Sequence, residues 1–238
     1  MSGLDFSIGR PLRVLAACEF SGKVREAFRR LGHDAKSCDL LAASDGSPHH
    51  IRGDVLDVLD DGWDVLIAFP PCTYLCSSGL HWNTRRPGRA VLTEQALAFV
   101  RQLLGAKVPR IVLENPGGCI STRIRRSTQI IEPHQFGHDA RKATHLWLSG
   151  LPSLVPTAYV PGKFVGLCGH PRWVRDLGPT CPVCGAPKKR EVWANQTDGG
   201  QNRLPPSADR WALRSETYQG IADAMALQWG GVLTYNHV

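Results

Sequence analysis

Cys72 and Glu114 are the residues whose type and position most directly indicate chemistry. Cys72 follows Pro70 and Pro71 at the end of the apolar run "DVLIAF", and Glu114 directly follows the apolar run "RIVL". The two prolines stiffen the backbone, which would fix the direction of a nucleophilic thiolate. A carboxyl at a neighbouring strand end, partly desolvated, could have a raised pKa and donate a proton or hydrogen bond. The alternatives are a buried structural cysteine and a solvated glutamate, but the residues beyond Cys72 have the composition of a loop.

A second candidate site is the segment "VLAACEFSG", which has the pattern of a strand, a tight turn and the start of a helix. Backbone N–H groups at such a turn can bind a cofactor. The G-x-G-x-x-G pattern of dinucleotide sites is absent. Asp39 and Asp54 end the next two segments, where carboxylates could accept hydrogen bonds from a ribose and from an adenine amino group. An ordinary strand-to-helix turn is the alternative. The predicted cofactor-binding residues of the turn are Cys18, Glu19, Phe20, Ser21 and Gly22.

The cysteines of "CPVCG" indicate a metal site. Cys181 and Cys184 have the spacing of a zinc knuckle, and Cys168 and His170 in "CGH" precede them. Three thiolates and one imidazole would form a closed tetrahedral site, so we predict a structural Zn²⁺. Unpaired thiols are the alternative.

Positive charge is concentrated in loops that follow apolar segments. The chain of 238 residues has a formal net charge of +7, which suits a polyanionic partner such as nucleic acid. The basic residues of a Cys-rich and Pro-rich segment after residue 150 could also lie along DNA, or form a solvated ribbon; they are Arg172, Arg175, Lys188, Lys189 and Arg190. The two arginine clusters predicted to contact phosphates are Arg85, Arg86 and Arg89, and Arg123, Arg125 and Arg126.

Apolar runs that alternate with amphipathic segments predict the elements that position these residues. The alternation favours an α/β fold with a mainly parallel sheet and helices on both faces. One helix is predicted over Thr93–Leu104 with Thr93 as its N-cap, and another over Thr217–Trp229. We therefore predict a catalytic domain over residues 10–150, a small Cys/His insert over 151–213 and a returning C-terminal helix over 214–232.

No apolar run approaches the ~20 residues that span a bilayer, and the N-terminus lacks a signal-peptide pattern. We expect a cytoplasmic protein without a membrane partner, in a bacterial or phage-infected cell. The sequence leaves the oligomeric state open, with a monomer favoured. In that compartment thiols act more often as ligands or catalytic groups than as disulfides.

The order of these motifs resembles the cytosine-C5 DNA methyltransferase family. The series is "AACEFSG", Asp39, Asp54, "FPPC", "ENP" and "FGHDARKATHLWLSG", and the closing "TYQGIADAMALQW" resembles the family's last helix. The resemblance covers about residues 12–150 and 215–230. The short layout is most similar to cytosine methyltransferase-like proteins of phages and prophages.

This resemblance implies a Rossmann-like fold that binds S-adenosyl-L-methionine (SAM), with Phe69 and Pro70 also at the cofactor, and DNA as the substrate. Cys72, behind Pro71, would add to C6 of a flipped cytosine so that C5 attacks the methyl group. Glu114 would hold N3 and the exocyclic amine, and Asn115 would position the loop of Cys72. The loop Thr73–Arg89 would close over the base.

The sequence also departs from the family. The arginine motif that contacts cytosine O2 is missing, with Arg141 or Lys142 as the nearest substitute, and a long target-recognition domain is absent. A non-catalytic or altered homologue is therefore an alternative, such as a DNA-binding decoy or an enzyme with another alkyl donor or a nucleotide substrate. An amino-methyltransferase is disfavoured. That chemistry needs a polar residue before the two prolines and an aromatic residue after them, whereas this chain has Phe69 and Cys72 at those positions.

Overall fold

A seven-stranded, mostly parallel β-sheet forms the centre of the protein. The computed structural model describes residues 10–166, 180, 183–185, 188–197, 199–207 and 210–231. The strands are β1 Arg13–Ala17, β2 Asp34–Asp39, β3 His50–Arg52, β4 Val65–Ala68, β5 Arg110–Asn115, β6 Gln129–Ile131 and β7 Thr144–Ser149. Their order is β3-β2-β1-β4-β5-β7-β6, and β7 runs antiparallel to both of its neighbours. The predicted α/β class with a mainly parallel sheet is confirmed.

Helices cover both faces of this sheet. They are α1 Lys23–Arg30, α2 Ser77–Leu80, α3 Arg89–Leu104, α4 Cys119–Arg123, α5 Arg210–Ser215 and α6 Gln219–Met225, which continues as a π-helical turn Ala226–Gly230. Single 3-10 turns lie at Val55–Asp57, Cys72–Tyr74, His81–Asn83 and Pro133–Gln135. In the part of the chain that the structure describes, no helix combines the length and apolarity needed to cross a membrane.

Two apolar cores separate because successive residues of a strand point to opposite faces. On one face, Val14 of β1 and Val112 of β5 belong to a cluster with Phe28 of α1 and residues of α6. On the other face, Leu15 of β1 packs in a cluster with Leu97 and other residues of α3. Strands buried on both faces explain the continuous apolar runs of the sequence.

The strand order changes direction between β1 and β4. From β1 the chain moves outward to β2 and β3, and it then returns to β4 on the other side of β1. In open α/β sheets, the crevice at the carboxyl ends of the strands beside such a switch is where ligands bind. Ala17 and Ala68 pair at these two ends, so the segments that start at Cys18 and Phe69 lie side by side over the crevice.

Helix α3 begins four residues earlier than predicted. Its N-cap is Gly88, and Thr93 lies inside the helix with 3% of its surface exposed. The predicted capping role of Thr93 was wrong, because its hydroxyl donates to the carbonyl of Tyr74 at 3.1 Å and so joins the helix to the loop after β4. The sequence pattern does not reveal this contact, since a Thr hydroxyl can either cap a helix or bond a backbone group elsewhere.

The described residues after 150, where the sequence predicts an insert, begin with a contact to the sheet. The side-chain amide of Gln129 bonds both the backbone N–H and the carbonyl of Leu154, at 2.8 and 2.7 Å. Farther along, a hairpin forms from β8 Lys163–Gly166 and β9 Lys188–Val192. β9 contains three of the basic residues assigned to a possible DNA surface, whereas Arg172 and Arg175 lie outside the described residues.

Candidate active site

The turn after β1 brings backbone close to the crevice. Cys18 has a φ of 57°, in the left-handed region that residues with a side chain rarely adopt, and its N–H donates to the Cys38 carbonyl at 2.7 Å. Gly22 has a φ of 75°, and a Cβ there would lie 2.2 Å from a guanidinium nitrogen of Arg25. The turn therefore requires glycine at position 22 and holds Cys18 in strain, as functional turns often do.

Glu19 is a buried carboxylate in this turn, with 5% of its surface exposed. Its Oε1 accepts hydrogen bonds from the Ser21 hydroxyl at 2.6 Å and the Val24 N–H at 3.4 Å. Among the described residues nothing donates to its Oε2. Burial raises the pKa of the Glu19 carboxyl, and the bond from Ser21 opposes that rise. An unpaired buried carboxylate oxygen suits a cationic partner supplied by a ligand.

A cavity of about 120 Å³ lies beside this turn at the carboxyl ends of β1, β2 and β3. It contains both predicted acidic residues, whose carboxylates accept backbone hydrogen bonds from Leu41 at 2.9 Å and from Leu56 at 3.0 Å. Leu40 is 72% exposed at its wall and offers an apolar surface to a flat ring. The lining residues are Cys18, Cys38, Asp39, Leu40, Gly53, Asp54, Val55, Pro71 and Phe99.

The segment after β4 is tied to the end of β5 by one buried hydrogen bond. The amide Nδ2 of Asn115 donates to the carbonyl of Pro70 at 2.7 Å, and Asn115 is 1% exposed. Phe69 is held to β1 through its N–H, and Cys72 is exposed at the start of a 3-10 turn. The sequence segments "FPPC" and "ENP" are therefore in direct contact, with the Cys72 thiol at the surface of the crevice.

The glycines after Asn115 extend this contact. Cys76 and Gly118 form an antiparallel bridge, and the N–H of Cys119 donates to the Leu75 carbonyl at 2.9 Å. A Cβ on Gly118 would lie 1.9 Å from that carbonyl oxygen, so only glycine permits this approach. The loop that contains Cys72 is thus fixed at its beginning by Asn115 and at its end by Gly118.

Glu114 faces the same crevice from the end of β5. Burial raises the pKa of its carboxyl, while Lys142 and a hydrogen bond from Thr144 oppose the rise. The pKa of the Cys72 thiol is raised by the neighbouring Cys76 thiol, by burial and, to a smaller extent, by the Glu114 carboxyl, whereas Lys142 lowers it. Glu114, Lys142 and Cys72 are therefore close enough to interact electrostatically. A carboxyl with a raised pKa can donate a hydrogen bond to a ring nitrogen.

The backbone around Lys142 is fixed by two polar side chains. Glu132 accepts from the Lys142 N–H at 2.8 Å and from the Arg141 side chain at 3.2 Å. Asn195, from the insert, accepts from the Arg141 N–H and donates to the Arg141 carbonyl, both at 2.9 Å. The insert therefore helps to hold the segment that places Lys142 beside Glu114.

Three of the arginines predicted to contact phosphates have partners within the protein. Arg89 donates to the Thr73 carbonyl at 2.8 Å, and Arg123 forms an ion pair with Glu94 at 2.9 Å. Arg125 donates to a backbone carbonyl of β7 at 3.1 Å. These interactions hold the loops around Cys72 in place, so the three side chains have a structural role in this conformation.

Arg85, Arg86 and Arg126 are exposed. The guanidinium of Arg86 lies 4.4 Å from the ring centroid of Trp82, and that of Arg85 lies 5.9 Å from it. Trp82 is itself 36% exposed. Trp82, Arg85 and Arg86, which we call the Trp82 cluster, present positive charge and an aromatic face on the loop that follows Cys72. This combination suits nucleic acid.

Sequence reasoning missed several residues of the site. Cys76 was not considered, although it lies one turn beyond Cys72 in the sequence. Leu40 and Phe99 line the cavity and were also missed. Leu40 directly follows Asp39, so its position next to a predicted site residue was the available signal. Asn195 carries no local signal, because its partner is 54 residues away.

The predicted zinc site cannot be assembled from the described residues. Cys184 is described and exposed, whereas Cys168, His170 and Cys181 lie outside the described residues. Across the ranges that the structure describes, no group of three or more His, Cys, Asp or Glu residues could hold a metal ion. Structural Zn²⁺ stays a prediction from the sequence.

Known proteins are only weakly similar to this chain. No protein-family model matches the chain, and no curated protein matches it. Among solved structures, it is similar to the Entamoeba histolytica methyltransferase EhMeth, with 14% identity, a TM-score of 0.46, and 64% of this chain and 59% of that chain covered. It is also similar to WbdD, solved with the kinase inhibitor LY294002, with 16% identity, a TM-score of 0.34, and 66% and 40% covered. The chain thus spans less than two thirds of either protein, and the chemistry of the site is the basis for assigning a function.

Proposed function

We propose that the protein is a SAM-dependent methyltransferase that modifies C5 of cytosine in DNA, with Cys72 as the nucleophile. The observation that carries this proposal is the bond from Asn115 to the Pro70 carbonyl, at 2.7 Å. It joins the proline–cysteine and glutamate–asparagine segments, so that a thiol and a carboxyl from neighbouring strands face one crevice. A planar base that carries an electrophilic carbon and a basic ring nitrogen matches this pair.

Cys72 and Glu114 divide the chemistry between them. The Cys72 thiolate adds to C6, which makes C5 electron-rich, and its later elimination restores the aromatic ring. Glu114 donates a hydrogen bond to N3, which its raised pKa favours, and this withdraws electrons from the ring during addition. Lys142 lies beside both groups and supplies positive charge near the carbonyl oxygen of the base.

The residues of the crevice fit the cofactor. The cavity at the carboxyl ends of β1 to β3 has two acidic residues for ribose and adenine hydrogen bonds, and Leu40 and Phe99 provide apolar contact with a purine. The unpaired Oε2 of Glu19 suits the ammonium group of a methionine moiety. When bound, SAM supplies the electrophilic methyl group.

Nucleic acid is proposed as the substrate on charge and on the Trp82 cluster. The net charge of +7 favours a polyanion. Arg85 and Arg86 are exposed on the loop that follows the nucleophile, where phosphates flanking a flipped base would lie. Arg126 is a further exposed basic residue that could contact phosphate.

The test is nucleoside mass spectrometry of duplex DNA after incubation with the protein and isotope-labelled SAM. We expect labelled 5-methyldeoxycytidine, and its loss in Cys72→Ala. Cys119→Ala is a matched control, because it removes a buried thiol at the start of α4 to which no role is assigned. An N-methylated base would indicate an amino-methyltransferase instead. Absence of label from folded, SAM-binding protein would favour an altered homologue, with another substrate, another donor or a DNA-binding role.

A further inference from the structure

Thr93 is a buried threonine inside α3, and its hydroxyl contacts two loop residues outside that helix. The hydroxyl donates to the Tyr74 carbonyl at 3.1 Å and accepts from the side-chain Nδ2 of Asn83 at 2.9 Å. It also lies 3.2 Å from the Oδ1 of Asn83, so both polar atoms of that amide contact it. Because only 3% of Thr93 is exposed, water does not readily replace these partners.

The helix itself gives no reason for a threonine at this position. Thr has a lower helix propensity than Ala or Leu, and a hydroxyl inside a helix often bonds a carbonyl three or four residues earlier. Here the two partners lie 19 and 10 residues away in the sequence. The hydroxyl of Thr93 therefore stabilises the loop between β4 and α3 rather than the helix.

One partner of Thr93 belongs to the turn of the nucleophile. Tyr74 ends the 3-10 turn Cys72–Tyr74, and the N–H groups of the next two residues donate to the Cys72 carbonyl, both at 3.0 Å. Arg89 adds a second attachment, because its guanidinium donates to the Thr73 carbonyl at 2.8 Å and lies 4.8 Å from the ring centroid of Tyr74. The turn is therefore compact, and Thr93 fixes it to α3 two residues from the reacting thiol.

The other partner of Thr93 adjoins the Trp82 cluster. Asn83 ends the 3-10 turn His81–Asn83, and the Trp82 carbonyl accepts the N–H groups of Arg85 at 3.1 Å and of Arg86 at 2.9 Å. These bonds hold the cluster together around Asn83. One buried hydroxyl thus joins both the turn of the nucleophile and the basic aromatic cluster to the same helix.

We propose that Thr93 is a positioning residue that fixes the Trp82 cluster relative to Cys72. This inference rests on the proposed function, in which the cluster contacts DNA and Cys72 attacks a cytosine. Phosphate contacts set the register of a protein on DNA, so a fixed spacing brings the flipped base to the thiol once the phosphates are bound. In this role Thr93 acts through Tyr74 and Asn83 and need not contact the substrate.

Two matched variants separate the hydroxyl of Thr93 from its shape. Thr93→Val has nearly the same volume but lacks the hydroxyl, whereas Thr93→Ser keeps the hydroxyl and loses the methyl group. Hydrogen exchange of the protein without cofactor or DNA, followed by mass spectrometry, measures local opening of residues 73–86. In Thr93→Val we expect the hydrogen-bonded amides there to exchange at least ~5-fold faster, the factor for loss of one hydrogen bond in a locally opening segment. Thr93→Ser should exchange like the native protein.

Methyl transfer to duplex DNA tests the consequence for the site. In Thr93→Val we expect kcat/KM for DNA to fall ~10-fold, because the base is no longer brought accurately to the thiol. The KM for SAM should stay unchanged, because neither Thr93 nor its two partners line the cofactor cavity. Thr93→Ser should restore the native kcat/KM.

A double-mutant cycle with Arg86→Ala distinguishes positioning from a general loss of stability. If Thr93 acts by placing Arg86, removal of that arginine should cost at least ~3-fold less in kcat/KM in the Thr93→Val background than in the native one. Additive losses would overturn the proposal, because a purely structural threonine lowers activity by the same factor in both backgrounds. Equal hydrogen exchange in the native protein and in Thr93→Val would overturn it as well.

Asn83→Ala serves as the second variant if Thr93→Val folds poorly. It removes only the cluster side of the contact, so residues 81–86 should exchange faster while the turn at Cys72 keeps its native exchange. Unchanged exchange of residues 81–86 in this variant would contradict the proposal.

The proposed function can fail separately from this inference. Native protein that binds SAM but transfers no methyl group to cytosine would reject the cytosine assignment, and faster exchange in Thr93→Val would still be expected there. Normal transfer by Thr93→Val, with native exchange of residues 73–86, would instead reject the role of Thr93 and keep the proposed function.

Discussion

The hydrogen bond between Asn115 and Pro70 offers the most direct test of how the site is assembled. Asn115 is almost fully buried, and its amide donates to the Pro70 carbonyl at 2.7 Å. Pro70 is buried as well. Asn115→Asp preserves the shape of the side chain but replaces this donor with an oxygen that, when ionised, repels the carbonyl.

The expected loss of stability in Asn115→Asp follows from the burial of the Asn115 side chain and the Pro70 carbonyl. Leaving a buried acceptor unpaired costs about 1–3 kcal/mol. For a protein of this size, 1 kcal/mol changes the Tm by ~2–4 °C, so we expect a Tm about 2–12 °C lower at pH 8. Burial would raise the pKa of the new carboxyl in the folded state above its usual ~3.9, so the loss of stability should grow as pH rises from about 4. Below that pH the carboxyl is protonated in both states and can donate to Pro70.

Thermal unfolding of the native protein and of Asn115→Asp between pH 4 and pH 8 measures this effect. Asn202→Asp is a matched control, because Asn202 is exposed and uses only its carbonyl oxygen, which the carboxylate keeps. Single-turnover methyl transfer should fall at least ~10-fold in Asn115→Asp, since small displacements of a nucleophile have large kinetic effects. A Tm equal to the native value at pH 8, with unchanged transfer, would refute the role of this bond.

Three further predictions concern the neighbouring groups. Asn195→Ala removes two hydrogen bonds of 2.9 Å to the adjacent loop, so it should lower turnover ~10-fold by letting Lys142 move, and unchanged turnover would contradict this. Because burial raises the pKa of Glu114, its ionised form destabilises the folded state; Glu114→Gln should melt above the native protein at pH 8, and the difference should vanish below the usual pKa of 4.5. Arg86→Ala should reduce the salt dependence of duplex DNA binding by ~0.9 in log–log slope, measured by fluorescence anisotropy. Arg123→Ala, whose guanidinium is paired with Glu94, should change that slope less.

The central strands were predictable from sequence, and the edge strands were not. β1, β4 and β5 are continuous apolar runs because both of their faces are buried. β3 and β6 have three residues each and include exposed positions, so they lack such a run. Strand formation there depends on a neighbouring strand that is already in place, which is a tertiary effect that local propensity does not encode.

Within the site, the residue types at strand ends predicted which side chains lie near one another, but they did not predict the hydrogen-bond and ion-pair partners. The sequence placed Cys72 and Glu114 at one edge because both follow apolar runs; in the structure Cys72 begins the turn after β4, and Glu114 lies at the end of the neighbouring β5. The arginines show the limit of this reasoning. Arg123 and Arg125 have the composition of a phosphate-binding loop, but their partners come from α3 and β7. A guanidinium can bind a carboxylate, a carbonyl or a phosphate, so only three-dimensional context shows which partner an arginine has.

Several destabilising features lie at or beside the crevice. Cys18 is in a strained backbone conformation, the ionised forms of Glu19 and Glu114 are disfavoured by burial, and, among the described residues, Glu19 Oε2 and Asn115 Oδ1 are buried without a hydrogen bond. Each unpaired buried polar atom costs about 1–3 kcal/mol. A fold maintains such costs where a ligand can offset them, since a donor that approaches Glu19 restores the missing interaction. Pro71 lines the same cavity and the exposed Cys72 follows it, so the strained turn and the unpaired carboxylate lie beside the proposed nucleophile.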